Sequence, residues 1–238
     1  MAVFRALPSS RVDDGTGAQP SRASSYLEAI VQPLGAGDWA FADEGSYWHA
    51  TNATLATGIA GHAAPVVADT DTKALLHLYN GGAKNIIPVY LFLEVTAAGT
   101  AGTLHYTTIY VDNKLATARS SGGTAITPVN SNTANTGSSS ATIYFGAVVT
   151  AMTSSRKVGQ QIVREVIPVV QDTVLMRFGG ANGEAHSGLT TAGTATNHCV
   201  QHFAPIVIAP GGNLNISQIR PSQSAASSYQ FSFGYIER

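Results

Sequence analysis

Tyr229-Gln230-Phe231-Ser232-Phe233-Gly234-Tyr235 decides the fold. An aromatic ring stands at every second position, with Gln, Ser and Gly between. In an extended chain a period of two puts all four rings on one side. Such a strand turns one face to a core and the other away from it. A row of rings could also be a platform on which a sugar stacks. The core face is the reading adopted, because most such rows line a sheet interior.

Working outward, the same period recurs along most of the chain. Leu75, His77 and Tyr79 alternate with Leu76 and Leu78, and Asn80-Gly81-Gly82 ends the run. Residues 86–95 are apolar on both faces, with Val89, Leu91, Leu93 and Val95 on one and Tyr90 and Phe92 on the other. That composition predicts a strand covered on both sides. Pro88 cannot donate a ladder hydrogen bond, so it belongs at the strand's start or on an edge. Residues 104–111 read as a strand, and Asp112-Asn113 as a two-residue turn into a returning strand at 114–119. Ile143, Phe145, Ala147 and Val149 point inward from 142–150. Residues 162–170 and 173–178 read as a hairpin about Gln171-Asp172, because Pro168 and the valines outweigh Arg164-Glu165 as a helix signal. Strands follow at 199–208 and 214–219. Two long uncharged stretches, 120–141 and 179–197, read as loops. Nine or ten strands with these turn signals predict an all-β protein. The expected fold is a jelly-roll-like two-sheet β-sandwich over residues 46–238.

Residues 1–45 differ. Pro8, Pro20 and Pro33 punctuate them, and their apolar residues come in short clusters. This predicts an extended N-terminal arm with one short helix at 25–31, capped by Ser24 or Ser25 and carrying Glu28 in its first turn. Arms of this composition are ordered only against a partner or their own body. Trp39, Phe41, Tyr47 and Trp48 flank the junction and read as a staple that holds the arm down.

Charge narrows the function. Only 11% of the 238 residues are Asp, Glu, Lys or Arg and the net charge is −1, against about 25% charged in an ordinary soluble domain. No basic field exists to attract nucleic acid or an anionic membrane. No apolar run reaches the ~20 residues of a membrane-spanning helix, and the first residues lack the pattern of a signal peptide. The single cysteine, Cys199, forbids an internal disulfide and suits a reducing compartment. A neutral, hydroxyl-rich exterior is expected of a protein that other protein covers.

Motifs for chemistry were weighed singly. Asn197-His198-Cys199-x-x-His202 offers a thiol and two imidazoles for zinc or for nucleophilic catalysis. On a strand, however, His198 and His202 share one face about 13 Å apart at ~3.3 Å per residue, and Cys199 points the other way, into the core. Asp69-Thr70-Asp71 offers two carboxylates to calcium, which wants six to eight oxygens; a turn is the simpler reading. Gly15-x-Gly17 lacks the third glycine of a dinucleotide fingerprint. Ser187 lacks the first glycine of a hydrolase elbow. Fourteen acids neither show nor exclude a glycosidase pair. Asn52-Ala53-Thr54 and Asn215-Ile216-Ser217 match the glycan acceptor triplet, idle without secretion. No catalytic, cofactor-binding or metal-binding residue is assigned, and no cofactor is expected.

Ala209-Pro210-Gly211-Gly212-Asn213-Leu214, then Arg220-Pro221-Ser222-Gln223-Ser224-Ala225, then the closing run 229–238, together resemble the endings of small virion structural proteins of tailed bacteriophages. The resemblance covers about half the chain. It implies a β-sandwich that decorates or cements a capsid, a homotrimer, partners among the major capsid or other virion proteins, location in the virion and no enzymatic activity. The alternative is a tail, fibre or spike component that binds host-surface carbohydrate. A third class, an enzyme built on Cys199 and a histidine, is the least favoured.

Overall fold

The computed structural model describes residues 37–52, 57–62, 66–100, 103–112, 121–167, 169–179, 183–187, 198–221 and 223–238. The chain divides into two compact units, Met1–Ala40 and Phe41–Arg238. The sandwich lies wholly in the second. The helix expected at 25–31 and the fingerprint candidates Gly15 and Gly17 fall outside the described residues. Within the stretch read as extended arm, Gly37–Asp43 forms a helix, α1, with Asp38 in its first turn.

Fourteen strands follow: β1 Tyr47–Thr51, β2 Ile59–Ala60, β3 Lys73–Asn80, β4 Ile86–Ala97, β5 Thr103–Asp112, β6 Ser121–Ile126, β7 Val129–Asn130, β8 Ala141–Val148, β9 Arg156–Ile167, β10 Thr173–Phe178, β11 Gly183–Ser187, β12 His198–Phe203, β13 Asn213–Ile219 and β14 Ser228–Glu237. They form two packed sheets. One runs β11-β12-β10-β4-β14-β1-β7, with β2 also on β14; the other runs β6-β8-β3-β13-β5-β9. The expected all-β two-sheet sandwich is therefore present. All pairings are antiparallel except β10 with β12, which is parallel.

The aromatic row is core. Tyr229, Phe231, Phe233 and Tyr235 are all buried on β14. Phe231 stacks on Phe145 of β8 with centroids 4.5 Å apart, and Tyr229 meets the same ring edge-on at 6.1 Å. These contacts join the two sheets. Phe145, Ile143 and Ala147 all point inward, as their alternation predicts. Gly146, between them, takes φ +71°, and a Cβ there would lie 2.3 Å from the Gly61 carbonyl oxygen. Glycine at that point lets the β2 segment approach the back of β8.

Five sequence expectations need correction. First, β4 is not covered equally on both faces. Leu91, Leu93 and Val95 are buried, whereas Tyr90 and Phe92 are half-buried on the outer face. Pro88 does sit near the strand's start, before the pairing with β10 begins at Tyr90. Second, β5 has no side left for a returning strand, because β9 and β13 occupy both its edges; residues 113–120 lie outside the described residues. Third, β9 and β10 are not a hairpin. β9 pairs with β5 in one sheet and β10 with β4 and β12 in the other, and Gln171 at φ 77° turns the chain between them. Fourth, the stretch 120–141 is not one loop, since it supplies β6 and β7. Fifth, the stretch 179–197 supplies β11. Glycine, serine and threonine carry no apolar period, so pairing partners rather than local pattern create these strands.

Phe145→Ala is expected to destabilise the fold by about 3–5 kcal/mol, because the lost ring leaves both Phe231 and Tyr229 without their neighbour. Urea denaturation midpoints of the two proteins check this.

Candidate functional site

Most residues singled out in the sequence turn out to hold the fold together. Cys199 is buried in the core beside Val174, its register partner on β10. His198 is exposed and His202 half-buried on β12. The alternation thus separates thiol from imidazoles as the strand period requires. His198 Nδ1 lies 2.6 Å from Thr173 Oγ1. Ser187 lies on β11 opposite His198, on a strand and not at the strand-to-helix turn a nucleophile elbow needs. Asp69 accepts hydrogen bonds from the Tyr110 hydroxyl and the Lys157 ammonium. These bonds hold its carboxyl below the ordinary carboxylate range although burial opposes them, and Tyr110 is pushed up by burial and by that carboxylate. Among the described residues, no three His, Cys, Asp or Glu side chains gather as a metal site. No helix among them is long and apolar enough to cross a membrane.

Both glycan triplets have structural asparagines. Asn215 is fully buried, 2.6 Å from His77 Nδ1, and donates to the Asp71 carbonyl at 2.7 Å. Asn52 donates to the carbonyls of Thr57 and Tyr229 and accepts from the Phe231 amide. Tyr47 and Trp48 are buried on β1. The Arg238 guanidinium lies 5.5 Å from the centre of the Phe41 ring. The side chain of Trp39 lies outside what is described.

Two places remain as candidate sites. The first is the outer face of the larger sheet. Register places Leu175, Phe92 and Ser232 side by side across β10, β4 and β14, with Arg177, Tyr90 and His49 in the row beside them. Tyr90 Oη lies 3.0 Å from Ser232 Oγ and 3.3 Å from His49 Nδ1. Burial alone lowers the pKa of His49. These residues are half-buried or exposed, and the face carries little charge.

The second is a small cleft at the end of the sandwich, where the chain crosses from β13 to β14. Gly61, His62, Gln218, Arg220, Gln223 and Tyr229 help to line it. Arg220 is only 3% exposed. Its Nη1 donates to Gln223 Oε1 at 3.2 Å and to Ser227 Oγ, and its Nη2 donates to Gln218 Oε1 at 3.1 Å. The guanidinium also lies 5.4 Å from the centre of the Tyr229 ring. Burial pulls its pKa down to about 9, so it stays cationic at neutral pH. Burial, helped by the charge of Lys73, pulls His62 down to about 4 against a backbone hydrogen bond with Ala74. Sequence reasoning missed this cleft. Arg220 is one of thirteen scattered cations, and nothing local marks it for burial.

Comparison with protein-family models, with curated proteins and with solved structures finds no match for this chain.

His62 also sets a pH dependence. Its folded pKa lies below the unfolded value of 6.5, so the unfolded chain takes up the proton first. Stability from this residue is therefore full above about pH 6.5 and is lost as pH falls toward 4. His62→Gln should flatten the decline of melting temperature over that window, as thermal scans at pH 7, 6, 5 and 4.5 would read directly.

Proposed function

We propose that this protein is a structural virion subunit, a capsid decoration or cement protein that stabilises a phage head through contacts between subunits. The observation that carries the reading is the order of the strands. Eight of them, β1, β3, β4, β5, β9, β10, β13 and β14, can be numbered one to eight along the chain. They then fall in the order 1-8-3-6 in one sheet and 2-7-4-5 in the other. We read that order as a jelly-roll arrangement, a fold that viral capsid and lectin domains use. Of the remaining strands, β6, β7, β8, β11 and β12 extend the sheets at their edges, and β2 pairs with β14. The resemblance of the 209–214, 220–225 and 229–238 runs to phage virion proteins supports the same reading.

The surface supports it as well. A chain with 11% charged residues has little to keep copies apart. Among the described residues, the exposed large apolar ones are six valines, Val67, Val129, Val148, Val158, Val170 and Val207, so contacts of this kind draw on broad neutral surface rather than one greasy patch. β9 is twelve residues long and ends its sheet. An edge of that length is a template for pairing with another chain. Mechanistically, homotrimers would bridge capsomers through apolar contact and backbone pairing, with residues 1–45 reaching a neighbour. Partners are other copies and the major capsid or another virion protein, with neither nucleic acid nor membrane required. No catalysis is assigned.

The half-buried patch of Phe92, Tyr90 and His49, from two adjacent rows of the sheet, favours one second reading, a fibre or spike component that binds host carbohydrate. Saturation-transfer NMR with host polysaccharide separates the two, since a cement subunit gives no transfer to sugar protons.

Purified protein is expected to sediment as a discrete trimer and to rebind shells stripped of it. A lasting monomer that ignores shells overturns the proposal. Deleting residues 1–40 should leave a folded body, by far-ultraviolet circular dichroism, that no longer associates; assembly equal to that of the full chain counts against a linking arm.

A further inference from the structure

Arg220 is a cation held inside the protein by neutral groups alone. Gln218, Gln223 and Ser227 accept from it, and no carboxylate among the described residues joins them. Burying a charge without a counter-charge costs several kcal/mol, and hydrogen bonds to neutral oxygens offset only part of that. None of the described residues that line the cleft is an acid.

Three nitrogens around the same cleft are buried with no protein partner: Arg220 Nε, Gln218 Nε2 and His62 Nε2. Each has a structural reason to be left over. Arg220 spends its two terminal nitrogens on Gln218, Gln223 and Ser227. Gln218 Oε1 accepts from Arg220 and from the Tyr229 hydroxyl at 2.8 Å, which fixes the amide and leaves its NH2 group over. His62 bonds the Ala74 backbone, and its other nitrogen, Nε2, is left. Ser227 cannot serve them, since it accepts from Arg220 and Gln223 and donates to the Ala98 carbonyl at 2.7 Å. Buried polar atoms nearly always find partners. Arg220 Nε and Gln218 Nε2, two residues apart at the end of β13, are thus a pair of donors without an acceptor among the described residues, whereas the neutral His62 ring donates to Ala74 and keeps a lone pair on Nε2.

The geometry points to a small-anion site in this cleft, in which a monovalent anion such as formate or chloride is held by Arg220 Nε and Gln218 Nε2. The sign follows from the charge of Arg220, the cation among the described residues that line the cleft. The size follows from the cleft, which has room for one or two water-sized groups and so excludes a phosphoester. A water molecule would satisfy a donor but not the charge. The site is independent of the capsid reading and holds whether the protein decorates a shell or binds a sugar.

The test uses the full chain at constant ionic strength and pH 7.5, with sodium gluconate, too large for the cleft, replaced stepwise by sodium formate or sodium chloride. The melting temperature is expected to rise by several degrees and to level off, as binding to one site of the folded state requires. Gln218→Glu sets a carboxylate against Arg220 in nearly the same shape. This variant should melt higher than the parent in gluconate and show no response to formate or chloride. Arg220→Gln should also lose the response; if it fails to fold, the Gln218→Glu arm still decides. Chloride-35 NMR should show line broadening by the parent and none by Gln218→Glu. The inference is overturned by a parent that melts alike in all three salts, or by a Gln218→Glu protein that responds as the parent does. It is equally overturned by a melting temperature that tracks protein concentration in place of formate, which would assign the counter-charge to a neighbouring copy.

Discussion

The structure depends on the contact between the inner face of β14 and the sheet opposite. Phe231 stacks on Phe145, Tyr229 meets the same ring edge-on, and Phe233 packs against Tyr235 along the strand. Large rings bury much area and lock each other's orientation. β14 is also a central strand of its sheet, flanked by β4 and β1. Its position therefore sets the register of both neighbours as well as the spacing of the layers. Tyr235 carries the constraint to the sandwich rim, where its hydroxyl lies 2.6 Å from Ser139 Oγ. Glu237 accepts there from the Ser139 hydroxyl and the Ser140 amide.

The pale composition has an internal task as well as a surface consequence. Asn130, Asn132 and Asn135 each accept from a backbone amide two residues on. Their amide groups reach back to the carbonyls of Gly45 and Asp43. Asn80 accepts from the Gly82 amide and donates to the carbonyls of Lys84 and Ile208. Short polar side chains of this kind replace backbone partners at turns, so loops without charge are still held. The few charges that are buried follow the same logic. Asp112 accepts from the amides of Thr153 and Ser154. Arg220 is the exception, because one nitrogen of its charged group, Nε, has no partner among the described residues.

That exception separates two kinds of surface on one molecule. The outer face of the larger sheet is broad and half-buried to exposed, with Tyr90, Phe92 and Leu175 beside Arg177. The cleft beside Arg220 is narrow and cationic, with three nitrogens left over by the pairing around them.

By itself the sequence determined the fold class and much of the core. A period of two in 142–150 and 229–235 states which side of a strand is inward, because the pleat allows only two faces; in 75–79 both faces are buried, and the alternation alone does not say so. It also placed Cys199 in the core and His198 outside by the same arithmetic. Only the tertiary structure decided who pairs with whom. β9 and β10 are neighbours in the chain yet belong to different sheets, and Gly-, Ser- and Thr-rich segments became β6 and β11 through partners distant in sequence. The cleft was equally out of reach. Its lining comes from the segment 61–62 and from the crossing between β13 and β14, and a side chain's burial depends on what the fold brings around it, not on its immediate neighbours in the chain.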